Sequence, residues 1–124
     1  MNNAEVLGGH LQELRRGTVV MACLATLSRP GYGYALLGAL GEAGFDVDAN
    51  TLYPLLRRLE KQGLLDSEWN TDEARPRKFY RTSPAGRGVL DGLLREWDAL
   101  HDATTRLMSP GTGPGGEPTT SPEG

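Results

Sequence analysis

Residues 50–65 read NTLYPLLRRLEKQGLL. Leu52, Leu55, Leu56 and Leu59 recur at i, i+3, i+4 and i+7, a spacing that gathers the leucines on one face of a helix. Asp48, just ahead, carries a carboxylate suited to accept from the free amides of the first turn, and Gly63 stands where such a helix ends. At about 100° per residue, Asn50, Tyr53, Pro54, Arg57 and Lys61 fall on the side opposite the leucines. Pro54 has no amide hydrogen, so the carbonyl of Asn50 loses its helical partner and the first turn is left open to a phosphate or a base edge.

Working outward, Leu11, Leu14, Val19, Met21, Leu24 and Leu27 suggest a first helix, loosened or interrupted near Gly17, in a folded part that starts at about Gly9. A second helix fits Gly33 to about Ala43, with Leu36, Leu37 and Leu40 on one face and a stop at Gly44. After Gly63 the segments 64–69 and 77–82 alternate roughly in twos, and the polar loop NTDEARP joins them, which predicts a two-stranded hairpin. Ser83 and Pro84 suit the N-cap and first position of a last helix running to about Met108. Along it Leu90, Leu94, Trp97, His101, Thr104 and Met108 step by three and four, and Leu93, Leu100 and Leu107 widen the stripe. So broad a stripe points to two contacts, one with its own domain and one with another subunit. Residues 109–124 contain only Ser, Pro, Gly, Thr and Glu and are expected to be disordered, since nothing apolar offsets the entropy of ordering them. The chain thus reads as a mainly α domain with a small hairpin at 9–82, a helix for dimerisation at 83–108, and a tail.

Bulk properties exclude several classes. At 124 residues a second independent core is not expected. No run approaches the roughly 20 apolar residues that span a bilayer, and the N-terminus lacks a basic-then-apolar leader, so a soluble cytoplasmic protein is expected. The single cysteine, Cys23, lies in the apolar run VVMACLATL and reads as a buried thiol. Two isolated histidines and that cysteine build no metal site or catalytic triad. The run GYGYAL has Leu36 where a dinucleotide fingerprint needs its third glycine. No cofactor and no catalysis are expected. The net charge of −3 argues against a surface that is basic all over, yet between 50 and 81 seven basic residues meet five acidic ones, so the positive excess is concentrated in the middle.

Helix, helix, short turn, helix and ribbon is the order of a winged helix-turn-helix. The motifs RGT at 16–18, YGYAL at 32–36, TLYPLLRRLEKQGLL at 51–65, Trp69, RKFYR at 77–81 and AG at 85–86 resemble the PadR family of bacterial transcriptional regulators, in its small subfamily with a single C-terminal helix. The resemblance covers about 11–107, and the run at 51–65 is its most specific part. The chain departs from the family pattern at Thr82 and Ser83, where a Leu-Thr pair is usual, and at Phe79, usually tyrosine.

A winged helix gives the outward residues a use. In the helix at 50–61, Thr51 and Tyr53 offer hydroxyls to phosphates, Arg57 suits a guanine edge or a phosphate, and Asn50, Pro54 and Lys61 share that face; a merely solvated polar face is the alternative. Arg75, Arg77 and Lys78 fall at the tip and return strand of the wing, where they meet phosphates or only guard an edge strand. Of Tyr32 and Tyr34, one is expected to reach DNA and the other to pack in the core, with Tyr32 taken as the DNA-facing one. The family resemblance further implies a homodimer, and a flat hydrophobic effector held near Trp97 and His101, against the alternative that Trp97 simply packs in the interface. A winged-helix module that binds protein instead of DNA is the rival reading, in keeping with the acidic balance.

Overall fold

The computed structural model describes residues 2–72 and 74–110. The elements run α1 (Asn3–Thr26), β1 (Gly31–Tyr32), α2 (Gly33–Ala43), α3 (Ala49–Lys61), β2 (Leu65–Asn70), β3 (Arg77–Thr82) and α4 (Pro84–Met108). This is the expected winged helix-turn-helix followed by a long helix. Most of the tail expected to be disordered, residues 111–124, lies outside the described residues. No helix among the described residues is long and apolar enough to cross a membrane.

The ends of the helices follow from local chemistry. α1 starts earlier than the apolar spacing suggests, because Asn2 and Glu5 close a capping box: the Glu5 amide donates to Asn2 Oδ1 at 2.8 Å and the Asn2 amide to Glu5 Oε1 at 3.1 Å. It also runs unbroken through Gly17, correcting the expected interruption; a glycine within a helix costs about 1 kcal/mol relative to alanine, too little to break 24 residues. Asp48 caps α3 as expected, accepting from the Thr51 amide at 2.9 Å. Gly44 (φ 104°) and Gly63 (φ 80°) end α2 and the turn after α3 in left-handed conformations that a side chain would strain.

The predicted hairpin is part of a three-stranded antiparallel sheet of order β1-β3-β2. β2 and β3 pair from Leu65↔Thr82 to Asn70↔Arg77, while Gly31↔Tyr80 and Tyr32↔Phe79 add β1 on the other edge of β3. Two residues between Pro30 and the start of α2 are too few to display a period of two, which is why β1 leaves no mark in the sequence pattern.

The chain divides into two compact units between Asp91 and Gly92. In the first, Leu24, Leu27, Leu36, Leu40, Leu52, Leu56, Leu59 and Leu65 are almost wholly buried, together with Cys23, Tyr80 and Leu90. Each buried leucine contributes about 1.5–3 kcal/mol, so the α3 leucines anchor that helix to the domain. Burial pushes the Cys23 thiol up to about 12, which keeps it protonated and inert.

The pair Thr82-Ser83 joins the elements. Thr82 Oγ1 donates to the Leu24 carbonyl at 2.7 Å, and its amide donates to the Leu27 carbonyl at 2.8 Å, so β3 satisfies the end of α1. Ser83 donates from its amide to the Leu64 carbonyl at 3.0 Å and from Oγ to the Gly63 carbonyl at 2.6 Å, and its Oγ accepts from the Gly86 amide at 3.0 Å. Ser83 is thereby the N-cap of α4, with Pro84 at the first helical position as expected. Gly86 lets the first turn of α4 lie directly on the Leu64 carbonyl.

Candidate nucleic-acid interface

With its leucines buried, α3 presents Asn50, Thr51, Pro54, Arg57 and Lys61 to solvent. Pro54 sits within the helix without ending it. Its missing amide leaves the carbonyl of Asn50 without the usual donor four residues on. Tyr53 is half-buried: its ring lies so close to Gly33 that a Cβ there would come within 2.6 Å of it. The start of α2 therefore has to be glycine for Tyr53 to lie where it does.

The wing cations have three different surroundings. Arg75 is exposed. Arg77 donates from Nη1 to Tyr34 Oη at 2.6 Å, and its guanidinium lies 5.2 and 5.5 Å from the ring centroids of Tyr34 and Tyr32. Lys78 forms a 3.0 Å ion pair with Glu60, the last acidic residue of α3, and lies 5.4 Å from the Tyr80 ring. The Ser67 hydroxyl donates to the other oxygen of that carboxylate. The Ser67 hydrogen bond and then Lys78 hold Glu60 below its ordinary value, in spite of partial burial. Glu60 thus ties both wing strands to α3 and already compensates the charge of Lys78.

Neither Tyr32 nor Tyr34 is a core residue, which corrects the expectation that one of them packs inside. Tyr34 is 56% exposed and Tyr32 half-buried. Their rings stack at 5.8 Å and 14°, and Phe79 meets Tyr32 edge-on at 6.0 Å. Asn70 Nδ2 donates to Tyr32 Oη at 2.6 Å. Together with Tyr53, Trp69, Pro76, Arg77, Lys78 and Tyr80 these tyrosines line a concavity of about 250 Å³ between the start of α2, α3 and the wing. Asn70 was not singled out by sequence reasoning, Trp69 entered it only as a motif residue, and Tyr34 only as the alternative to Tyr32. Tyr34 and Arg77 lie 43 residues apart and Tyr32 and Asn70 lie 38 apart, so no local spacing signals either pair.

On α4 the expected interface residues separate. Leu90 is 7% exposed and packs in the core of the first unit. Leu93, Leu94, Trp97, Leu100 and Met108 are exposed, as are His101 and Thr104. Trp97 is 42% exposed, a large apolar area left in water by a helix that otherwise shows many charges. His101 Nδ1 lies 3.8 Å from the Asp102 carboxylate, both side chains well exposed.

Residues 20–92 match the model of the transcriptional regulator PadR-like family. The crystal structure of a PadR family transcriptional regulator from Eggerthella lenta is 46% identical and superposes with a TM-score of 0.81, covering 86% of this chain and 95% of that one. A PadR-like transcriptional regulator from Bacillus cereus, 25% identical, superposes with a TM-score of 0.69 over 78% of this chain and 97% of that one. The transcriptional regulator Rv3488 of Mycobacterium tuberculosis is 46% identical over 69 residues, 56% of this chain and 64% of that protein's length.

Proposed function

The chain belongs to the PadR-like family of transcriptional regulators, and from that premise we propose that it is a DNA-binding repressor acting as a homodimer on a near-palindromic operator. The observation that carries this reading is the outward face of α3: Asn50, Thr51, Pro54, Arg57 and Lys61 stand exposed beside a wing bearing Arg75 and Arg77, while the leucines behind them hold the helix on the domain. Arg57 engages a guanine edge or a phosphate, Thr51 and Tyr53 phosphates, and the open carbonyl of Asn50 comes close to the duplex. Lys61 and the wing cations add sequence-independent attraction, which the Glu60 ion pair reduces at Lys78.

The exposed stripe of α4, from Leu93 and Leu94 through Trp97, Leu100, His101, Thr104 and Met108, is assigned to a second copy of the chain. Such a dimer sets two recognition helices roughly 34–36 Å apart, one turn of DNA. A flat hydrophobic effector at Trp97 would release DNA by changing that spacing.

Titration of a labelled duplex from the region flanking the protein's own gene tests the reading. Affinity should fall steeply with salt, and Arg57→Ala should erase preference for that duplex over an unrelated one. A flat salt response together with retained preference in the variant sinks the assignment of this face. Absence of any specific binding favours the protein-interaction module that the acidic overall balance also suits.

A further inference from the structure

The run Tyr32-Gly33-Tyr34 touches every element of the candidate interface. Gly33 leaves room for the Tyr53 ring of α3. Tyr32 accepts from Asn70 on β2, and Tyr34 accepts from Arg77 on β3. Both wing strands are therefore tied by side chains to the start of α2, in addition to the backbone pairing of β1 with β3. An arginine on a wing ordinarily has many rotamers, and fixing one upon binding costs entropy. Here a 2.6 Å hydrogen bond and two stacked rings beneath the guanidinium select one beforehand. A guanidinium carries five donors in a fixed fork, so engaging Tyr34 does not by itself exhaust it.

We propose that Tyr34 is the positioning residue of the wing: its hydroxyl and ring hold the Arg77 guanidinium, and with it the β2–β3 hairpin, in place beside α3, without Tyr34 itself binding DNA. The proposal rests on the reading of the α3–wing face as the DNA interface. The preorganised Arg77 then meets the phosphate backbone with little rearrangement, and Tyr34 acts only through it.

Because phosphate contacts are independent of sequence, the probe is a random-sequence duplex of about 30 base pairs at about 50 mM salt. Tyr34→Phe removes one hydroxyl from an exposed residue and leaves the ring in place. It should weaken binding about 3- to 10-fold in the native background, as expected when one long side chain has to be ordered only upon binding. In an Arg77→Ala background the same change should have no effect. A loss that persists without Arg77 means that Tyr34 contacts DNA itself and overturns the proposal, as does unchanged affinity in the single variant. A second measurement reads the free protein: the Arg77 side-chain nitrogen resonances should be dispersed and should shift, with reduced dispersion, in Tyr34→Phe. Resonances that the variant leaves unmoved overturn the brace. If the native protein fails to bind the duplex at all, the DNA reading is what fails, and the Arg77 resonances still decide whether Tyr34 holds the wing.

Discussion

Replacing Gly86 by alanine isolates the junction between the wing and α4. A methyl group there would press on the Leu64 carbonyl oxygen well inside contact distance, and would lie 2.9 Å from Thr82 Cγ2 and 3.0 Å from the Leu64 carbonyl carbon. The obstructing atoms are mainly backbone, so the first turn of α4 has to lift away. Lifting it strains the Gly86 amide to Ser83 Oγ bond (3.0 Å), the Ser83 Oγ to Gly63 carbonyl bond (2.6 Å) and the Ser83 amide to Leu64 carbonyl bond (3.0 Å). At about 1 kcal/mol for each hydrogen bond, losing all three costs about 3 kcal/mol. The better helix propensity of alanine returns about 1 kcal/mol, leaving a net loss of about 2 kcal/mol. For a domain of this size that lowers the melting temperature by about 6–10 °C. Gly88, two residues on in the same helix, is the control: a Cβ there meets nothing within 4 Å, so Gly88→Ala should be neutral or stabilise by up to about 1 kcal/mol. Urea unfolding followed by circular dichroism, with all proteins at one concentration because a dimer makes stability concentration-dependent, gives both values. A Gly86→Ala midpoint equal to that of the native protein, or equal losses at Gly86 and Gly88, would refute the close approach.

Three further outcomes follow from individual contacts. Glu60 has its carboxyl lowered in the folded state, so its contribution to stability is present above the ordinary value of 4.5 and is lost as pH falls through its folded value; in Glu60→Gln an acid titration should lack that component, and identical acid profiles would contradict the Ser67–Glu60–Lys78 link. Cys23, with its thiol near 12, should resist an alkylating reagent at pH 8 in the native protein and react fully in denaturant; rapid native labelling would show that the thiol is not buried. Planar hydrophobic compounds should quench Trp97 in a Trp69→Phe background, and equal binding of those compounds by Trp97→Ala would remove the proposed effector site.

The sequence was most informative where one helix carries its own evidence. The i, i+3, i+4, i+7 leucines of α3, its Asp48 cap and the Ser83-Pro84 start of α4 are local signals, and the structure contains them as read. Where those signals were weak, the reading fell short: α1 extends to Asn3 because of a capping box with little apolar content around it, and β1 is too short for any period. Leu90 shares the apolar spacing of Leu93 and Leu94, yet it alone of the three is buried in the core. Periodicity identifies a face of a helix but not what the face meets.

What the chain order by itself determined is the four helices, the β2–β3 hairpin and the outward display of Asn50, Arg57 and Lys61, since all of these depend on residues a few positions apart. Which cations are held, and by what, was decided only by the tertiary structure. Arg77 lies on a tyrosine 43 residues away and Lys78 pairs with a glutamate 18 residues away, although the two are neighbours in sequence. Adjacent residues of a strand point to opposite faces, so the partners of each are set by what the fold packs against that face.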